Sequence, residues 1–322
     1  MIAGENCSKK YGNFTALQDV SFKVKRGEIV GFLGPNGAGK TTTMKLITGF
    51  LAPSSGRVLV NGREVTGESI ATKAEIGYLP ENAPLYDDMM VDEFLDFAAR
   101  LRHLSGAAAQ KRKELVIKVC GIEGVLGQDI GTLSKGYRQR VGLAQAIIHD
   151  PPILLLDEPT SGLDPNQIVD IRALIRKLGE DKTIILSTHI LPEVEATCNR
   201  VIIINKGTLV ADDTPENLIE AQGSSGLLVA LSTAGGALPD KEKALKVLRS
   251  LDGVLRVTAA RDEDNASYFM VHSNKDVRPA LLKPLLENDL CLMHLSLKQL
   301  SLEETFRHLT LDEKTGEEEK HA

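Results

Sequence analysis

Gly34, Pro35, Asn36, Gly37, Ala38, Gly39, Lys40 and Thr41 fit G-x-x-x-x-G-K-[ST] without a mismatch, and Thr42, directly after them, joins the candidate nucleotide-binding residues. Glycines at these places let successive backbone N–H groups curl into an anion-binding nest, and a helix opening directly afterwards adds its positive end. Lys40 then reaches the β- and γ-phosphates, and the Thr41 hydroxyl is placed to ligate Mg²⁺. A second group is Asp157-Glu158, which closes the apolar run Ile153-Leu154-Leu155-Leu156. An Asp there suits a hydrated Mg²⁺, and the Glu beside it suits a general base that polarises an attacking water. The third is Ser134 in Leu133-Ser134-Lys135-Gly136-Tyr137. Its hydroxyl and the free N–H groups behind it make a second anion site at a helix start, although most such starts are caps and nothing more. The chemistry these residues share is the binding and hydrolysis of a nucleoside triphosphate.

Particular elements must hold these groups. The apolar runs 28–33 and 153–156 read as strands of a parallel sheet buried on both faces, with their C-terminal ends opening into a ligand crevice. Helices are expected over 41–48, closed by Gly49, and from Ser134 through Arg140, Val141 and Ala144 to Ile147. Further strands are expected at 16–24, 56–60, 183–186 and 200–205, with Asn61-Gly62 as a hairpin turn. Between about 82 and 150 the pattern becomes helical. Val91, Phe94, Leu95, Ala98 and Leu101 share one face of a helix whose first turn carries Asp92 and Glu93. The preceding loop, Leu85-Tyr86-Asp87-Asp88-Met89-Met90, carries large and adaptable apolar groups. Partner docking and a local apolar cluster both account for it.

Gln222-Gly223-Ser224-Ser225-Gly226 marks a boundary. Beyond it, strands at 227–231, 254–259, 267–272 and 290–297 alternate with helices at 241–251 and 277–286, and a short helix covers 302–309. A polar turn over 261–266 joins the middle strands, and the order β-α-β-β-α-β matches a ferredoxin-like unit. His272, His294 and His308 stand apart within it and form no catalytic group. The tail 312–322, rich in Glu and Lys, has the composition of a disordered segment.

At this point the chain resembles the ATP-binding subunits of ABC transporters over residues 1 to about 220. The family's parts occur in order: an aromatic near the start (Tyr11), the phosphate loop, a Q-loop position (Glu81), the signature helix start (Ser134 to Gly136), the carboxylate strand, a D-loop (Ser161-Gly162-Leu163-Asp164) and a switch histidine (His189). The resemblance implies ATP and Mg²⁺ as cofactors, with Tyr11 stacking on adenine and His189 bonding the γ-phosphate. It implies Thr41, Glu81 and Asp157 around the metal, and Glu158 as the base. It further implies that Ser134, Lys135 and Gly136 cap the nucleotide held by a second copy of the chain, with Asp164 at the seam. The expected architecture is α/β: a P-loop, RecA-like core over 1–220 with a helical subdomain at about 82–150. A small α+β accessory domain over 221–310 and a tail over 311–322 follow.

Two positions depart from the family's commonest residues. Glu81 stands where Gln is usual; its carboxylate ligates Mg²⁺ more strongly than an amide but repels the γ-phosphate. A charge pair at ~4 Å ranges from about 1 to 4 kcal/mol with the effective dielectric, and ligation is expected to prevail. Lys135-Gly136-Tyr137 replaces Gly-Gly-Gln, putting a cation at a helix start at a cost of roughly 0.3–1 kcal/mol. A docked phosphate and a merely solvated lysine are both consistent with it. Both departures resemble the ABC-2-type export ATPases, including the gliding-motility-associated branch. That resemblance implies a separately encoded transmembrane permease as partner and a place on the inner face of the cell membrane. A soluble ABC-type ATPase acting on another macromolecule is the alternative.

Composition sets outer bounds. The chain has 322 residues, 42% hydrophobic and 25% charged, with a net charge of -6, so nonspecific nucleic-acid binding lacks electrostatic support and no nucleic-acid partner is expected. Cys7, Cys120, Cys198 and Cys291 lie far apart and suit small buried hydrophobes in a reducing compartment. No apolar run approaches the ~20 residues of a bilayer span. Glu5, Lys9 and Lys10 interrupt any leader-like start.

Overall fold

The computed structural model describes residues 2–221, 226–298 and 302–311. The chain divides into two compact units, Met1–Pro215 and Glu216–Ala322.

In the first unit, β1 (Ile2–Tyr11) and β2 (Phe14–Val24) form a long antiparallel pair. β4 (Ser55–Val60) and β5 (Arg63–Glu64) extend it in the order β2-β1-β4-β5. β1 is hard to read from sequence because Glu5, Lys9 and Lys10 interrupt its apolar alternation. Asn61 and Gly62, both at positive φ (48° and 77°), make the tight turn between β4 and β5, as the two-residue hairpin geometry requires.

The second sheet runs β10-β9-β3-β8-β7-β6. Its members are β3 (Ile29–Leu33), β6 (Ile76–Leu79), β7 (Ile153–Asp157), β8 (Thr183–Thr188), β9 (Arg200–Asn205) and β10 (Thr208–Asp213). All neighbours are parallel except the edge pair β9–β10. Every residue of β3, β7 and β8 is buried, which is why these strands read as unbroken apolar runs. Register pairs Leu33 with Thr188 and Asp157 with Ser187. The phosphate loop, the carboxylate pair and His189 therefore emerge side by side at one edge.

Helices of this unit are α1 (Lys40–Ile47), α2 (Ile70–Ala74), α3 (Val91–Leu101), α4 (Gly106–Cys120), α5 (Lys135–Ile147), α6 (Pro165–Gly179) and α7 (Leu191–Thr197). α3 buries Val91, Phe94, Leu95, Ala98 and Ala99. Leu101, expected on that face, is 62% exposed; the helix ends there, so no further turn covers it. Lys113 of α4 is buried, with Asp92 and Asp96 each 2.8 Å from its ammonium.

α8 (Pro215–Ala221) lies at the division. The second unit then has β11 (Gly226–Thr233), α9 (Lys241–Arg249), β12 (Val254–Glu263), β13 (Ala266–Ser273), α10 (Arg278–Glu287), β14 (Leu290–Lys298) and α11 (Leu302–Leu311). The strands are antiparallel in the order β12-β13-β11-β14. Val229 and Leu231 of β11 and Phe269 and Val271 of β13 alternate along their strands, and they pack with Leu248 and Leu281 of the helices in one core. The turn expected over 261–266 is shorter. β12 runs on to Glu263, and Asp264 and Asn265 turn the chain at φ 49° and 58°, a conformation these two residue types tolerate. The boundary residues 222–225 and the tail 312–322 lie outside the described residues. Cys7, Cys120 and Cys198 are buried free thiols, and Cys291 is half-buried.

Candidate functional site

The phosphate loop is held by close packing from below. A Cβ on Gly34 would collide with the Ile204 carbonyl oxygen, and one on Gly39 would stand 2.6 Å from Leu17 Cδ2. Gly39 also has φ 112°, where side chains are strained, and α1 starts on it with no side-chain cap. Its first N–H groups therefore face the cleft, the usual setting for an anion.

A cleft of about 530 Å³ gathers Asn36, Gly37, Ala38, Gly39, Lys40, Thr41 and Thr42 with Tyr11, Glu81, Glu158, Ser161 and His189. Gly34 is buried beneath the loop and Pro35 is exposed on it. Lys40 is 6% exposed; its ammonium donates to the Gly34 carbonyl at 2.8 Å and the Pro35 carbonyl at 3.3 Å, and lies 3.4 Å from Glu158 Oε1. Glu158 Oε2 is 2.9 Å from His189 Nδ1. Glu158 has φ 49°, and its N–H lies 3.1 Å from both the carbonyl and the hydroxyl of Ser187. A bulky residue in that region is strained and must be held by its surroundings. The Glu158 carboxylate meets Lys40 of the phosphate loop.

Asp157 sits deeper, at 1% exposure. Its Oδ1 accepts the Thr41 hydroxyl at 3.2 Å and the Ser187 hydroxyl. Its Oδ2 is buried with no hydrogen-bond partner. An orphaned carboxylate oxygen is costly, and a hydrated Mg²⁺, which takes few protein ligands and keeps its waters and phosphates, would satisfy it. Thr41 and Glu81 are at hand on the cleft wall, so the residues present fit that ion. Among the described residues no group of three or more His, Cys, Asp or Glu forms a ready-made cage.

The structure adds groups the sequence does not single out. Phe14 is the register partner of Tyr11 across the β1–β2 turn; the two are 63% and 46% exposed, and both line the cleft. Paired aromatics flanking Gly12-Asn13 are the available signal. Lys9 Nζ lies 5.5 Å from the Tyr11 ring centre. Ser187, which braces both carboxylate residues, leaves no trace beyond being a polar residue in an apolar strand. Tyr78 has a buried hydroxyl with no partner; burial, with the Asp157 charge adding to it, raises its phenol above the ordinary value.

The signature residues are elsewhere. Ser134, Lys135 and Gly136 do not line this cleft. Ser134 caps α5, its hydroxyl accepting the Tyr137 N–H at 3.4 Å. The Lys135 ammonium lies against Gly162 of the D-loop, and a Cβ on Gly136 would meet the Gln167 side chain. Asp164 caps α6, its Oδ1 accepting the N–H groups of Asn166 and Gln167 at 3.0 Å each.

A family model described as ABC transporter matches residues 17–161. The linearmycin resistance ATP-binding protein LnrL of Bacillus subtilis (strain 168) is 33% identical over 96% of this chain and 98% of its own. A daunorubicin resistance ATP-binding protein of Streptomyces coeruleorubidus is 30% identical over 98% of each chain. Among solved structures, a dimeric ATP-binding cassette in a post-hydrolysis state with ADP and Pi matches at TM-score 0.61 and 27% identity. That match covers 66% of this chain and 98% of the cassette.

Proposed function

The chain belongs to the ABC transporter ATP-binding family, and from that premise we propose that it drives export through a separate membrane-spanning subunit. As a member it is an ATPase subunit of dimerising cassette type. The observation that carries our assignment of the chemistry is the contiguous set Lys40–Glu158–His189 on the wall of the cleft. With phosphate bound, the Lys40 ammonium leaves the Gly34 and Pro35 carbonyls and Glu158 for the β- and γ-oxygens. Glu158 is thereby freed to take a proton from the attacking water, and His189 donates to the γ-phosphate. Thr41, Asp157 and Glu81 would hold Mg²⁺, which would supply positive charge to offset the charge of the phosphates. Tyr11, with Phe14 beside it, offers a face to adenine.

The signature residues stand outside this cleft, which supports their acting on the nucleotide of a second copy. Tyr86 and Met90, 54% and 43% exposed, flank α3, with the Tyr86 ring 5.5 Å from that of Phe97. They suit a groove for a cytoplasmic helix of the permease. No helix among the described residues is long and apolar enough to cross a membrane, so attachment to the inner face of the membrane would come through that partner. Outward transport is adopted because two relatives spanning nearly the whole chain are named for linearmycin and daunorubicin resistance. Glu81 and Lys135 are what liken it to the ABC-2 export branch, the gliding-motility-associated group included.

Purification of the tagged chain from detergent-solubilised membranes tests the partner. A multi-span hydrophobic protein should co-purify in a fixed ratio; recovery of the chain with a soluble assembly instead would overturn the transport reading.

A further inference from the structure

Behind the cleft lies a buried carboxylate that no step above uses. Glu193, in the first turn of α7, is 2% exposed. Its Oε1 accepts the Thr160 hydroxyl, and its Oε2 accepts the Thr188 hydroxyl at 2.8 Å. Arg172 of α6 brings Nη2 to 4.0 Å from Oε1. Thr160 and Thr188 are themselves buried, at 3% and 0% exposure.

Each threonine adjoins a functional group, Thr160 in the turn after Glu158 and Thr188 at the end of β8. Thr160 lies between Glu158 and Ser161. That turn is closed by the Ser161 N–H on the Glu158 carbonyl at 3.1 Å and the Leu163 N–H on the Thr160 carbonyl at 3.2 Å. Thr188 directly precedes His189, and its hydroxyl also accepts the Ile190 N–H at 3.0 Å. The Glu158–His189 bond joins these segments on the cleft side, and Glu193 joins them from behind. A buried charged clasp is a poor stabiliser compared with apolar packing of the same volume, so stability alone does not account for it. What it supplies is a second tie between the segment after β7 and the end of β8, beyond the Glu158 N–H on Ser187. Arg172 extends the clasp to α6, and α6 holds α5 through Asp170 and Arg140 at 2.8 Å.

We propose that Glu193 is a positioning residue for hydrolysis: it yokes the turn carrying Glu158 to the segment carrying His189. A change at His189 is thereby passed to residues 161–164. Glu193 itself does not line the nucleotide cleft. The proposal rests on the reading of Glu158 and His189 given above.

The test uses the full chain with ATP, comparing wild type, Glu193→Gln, Thr160→Val and the double variant. Steady-state hydrolysis, equilibrium ATP binding and thermal unfolding are measured for each. Glutamine keeps the volume but turns one acceptor into a donor, so one tie is altered in a filled core. The expected result is a kcat about tenfold lower for Glu193→Gln, with ATP affinity within about threefold of wild type. Thr160→Val should lower kcat by a similar factor in the wild type and by less than about twofold in Glu193→Gln, since both changes cut one tie. A wild-type kcat in Glu193→Gln, or losses that multiply in the double variant, would overturn the proposal. So would a fall in kcat matched by equal falls in affinity and unfolding midpoint, the mark of a purely structural role. Glu158→Gln, run alongside, separates the two readings. Full turnover there removes the general-base assignment and this proposal together, whereas failure of the Glu193 variants alone leaves that assignment standing.

Discussion

Glu158 Oε2 lies 2.9 Å from His189 Nδ1 although 31 residues separate them in the chain. The other oxygen, Oε1, lies 3.4 Å from the Lys40 ammonium. One carboxylate thus spans the phosphate loop and the switch segment, and the left-handed backbone of Glu158 aims it there. With Glu158 as the proposed base, nucleotide entering the cleft would compete with it for Lys40, so binding and arming of the base would be one event.

Glu158→Gln removes the proton acceptor and keeps the shape. Hydrolysis should fall by about 10²–10⁴-fold while ATP affinity is retained, and an ATP-bound dimer should accumulate. Turnover assays together with size-exclusion in ATP read both; normal turnover would remove Glu158 from the role of base.

Glu81 is exposed and lines the cleft; Asp157, whose Oδ2 is unpartnered, bonds Thr41 of the same cleft wall. Glu81→Gln should raise the Mg²⁺ concentration needed for half-maximal hydrolysis and leave ATP affinity nearly intact. A Mg²⁺ titration indistinguishable from wild type would rule out a metal role.

Gly136→Ala separates folding from assembly. The added methyl would meet Gln167 Cδ at 2.7 Å, the end of a flexible side chain that can turn aside, so stability should change by less than about 1 kcal/mol. With Gly136 in its proposed place against the partner copy's nucleotide, the methyl or the displaced Gln167 side chain would intrude on that contact. ATP-driven dimerisation, followed by sedimentation, should weaken about tenfold or more; unaltered sedimentation in ATP would place Gly136 outside the interface.

His149 predicts a pH effect. Its Nε2 is 3.2 Å from the Ile76 carbonyl and its Nδ1 is buried without a partner. Burial, with the Arg102 charge adding to it, pushes the imidazole down from 6.5 to about 4. Between those values the unfolded chain takes up a proton that the folded one refuses, so stability falls as pH drops through that window. His149→Gln, whose amide can still donate to Ile76, should lose less of its unfolding midpoint between about pH 7 and pH 5 than wild type. Parallel curves would show that His149 does not contribute.

The sequence alone determined the class of chemistry and the elements that carry it. Both follow from local rules: a glycine-rich turn before a helix makes an anion nest whatever surrounds it, and wholly apolar runs make buried parallel strands. Ser134 as the cap of α5 and Asn61-Gly62 as a turn were legible for the same reason. Leu101 departs from its expected burial because periodicity shows which face is apolar, not where the covering layer ends. Only the tertiary structure decided which groups meet. The register of β3, β7 and β8 brings Lys40, Glu158 and His189 together, Ser187 and Glu193 enter through contacts with no sequence signal, and Phe14 joins Tyr11 across a turn. Ser134, Lys135 and Gly136 are carried away from the same cleft by α5. Such meetings depend on sheet order and strand register, which arise from packing over long sequence separations.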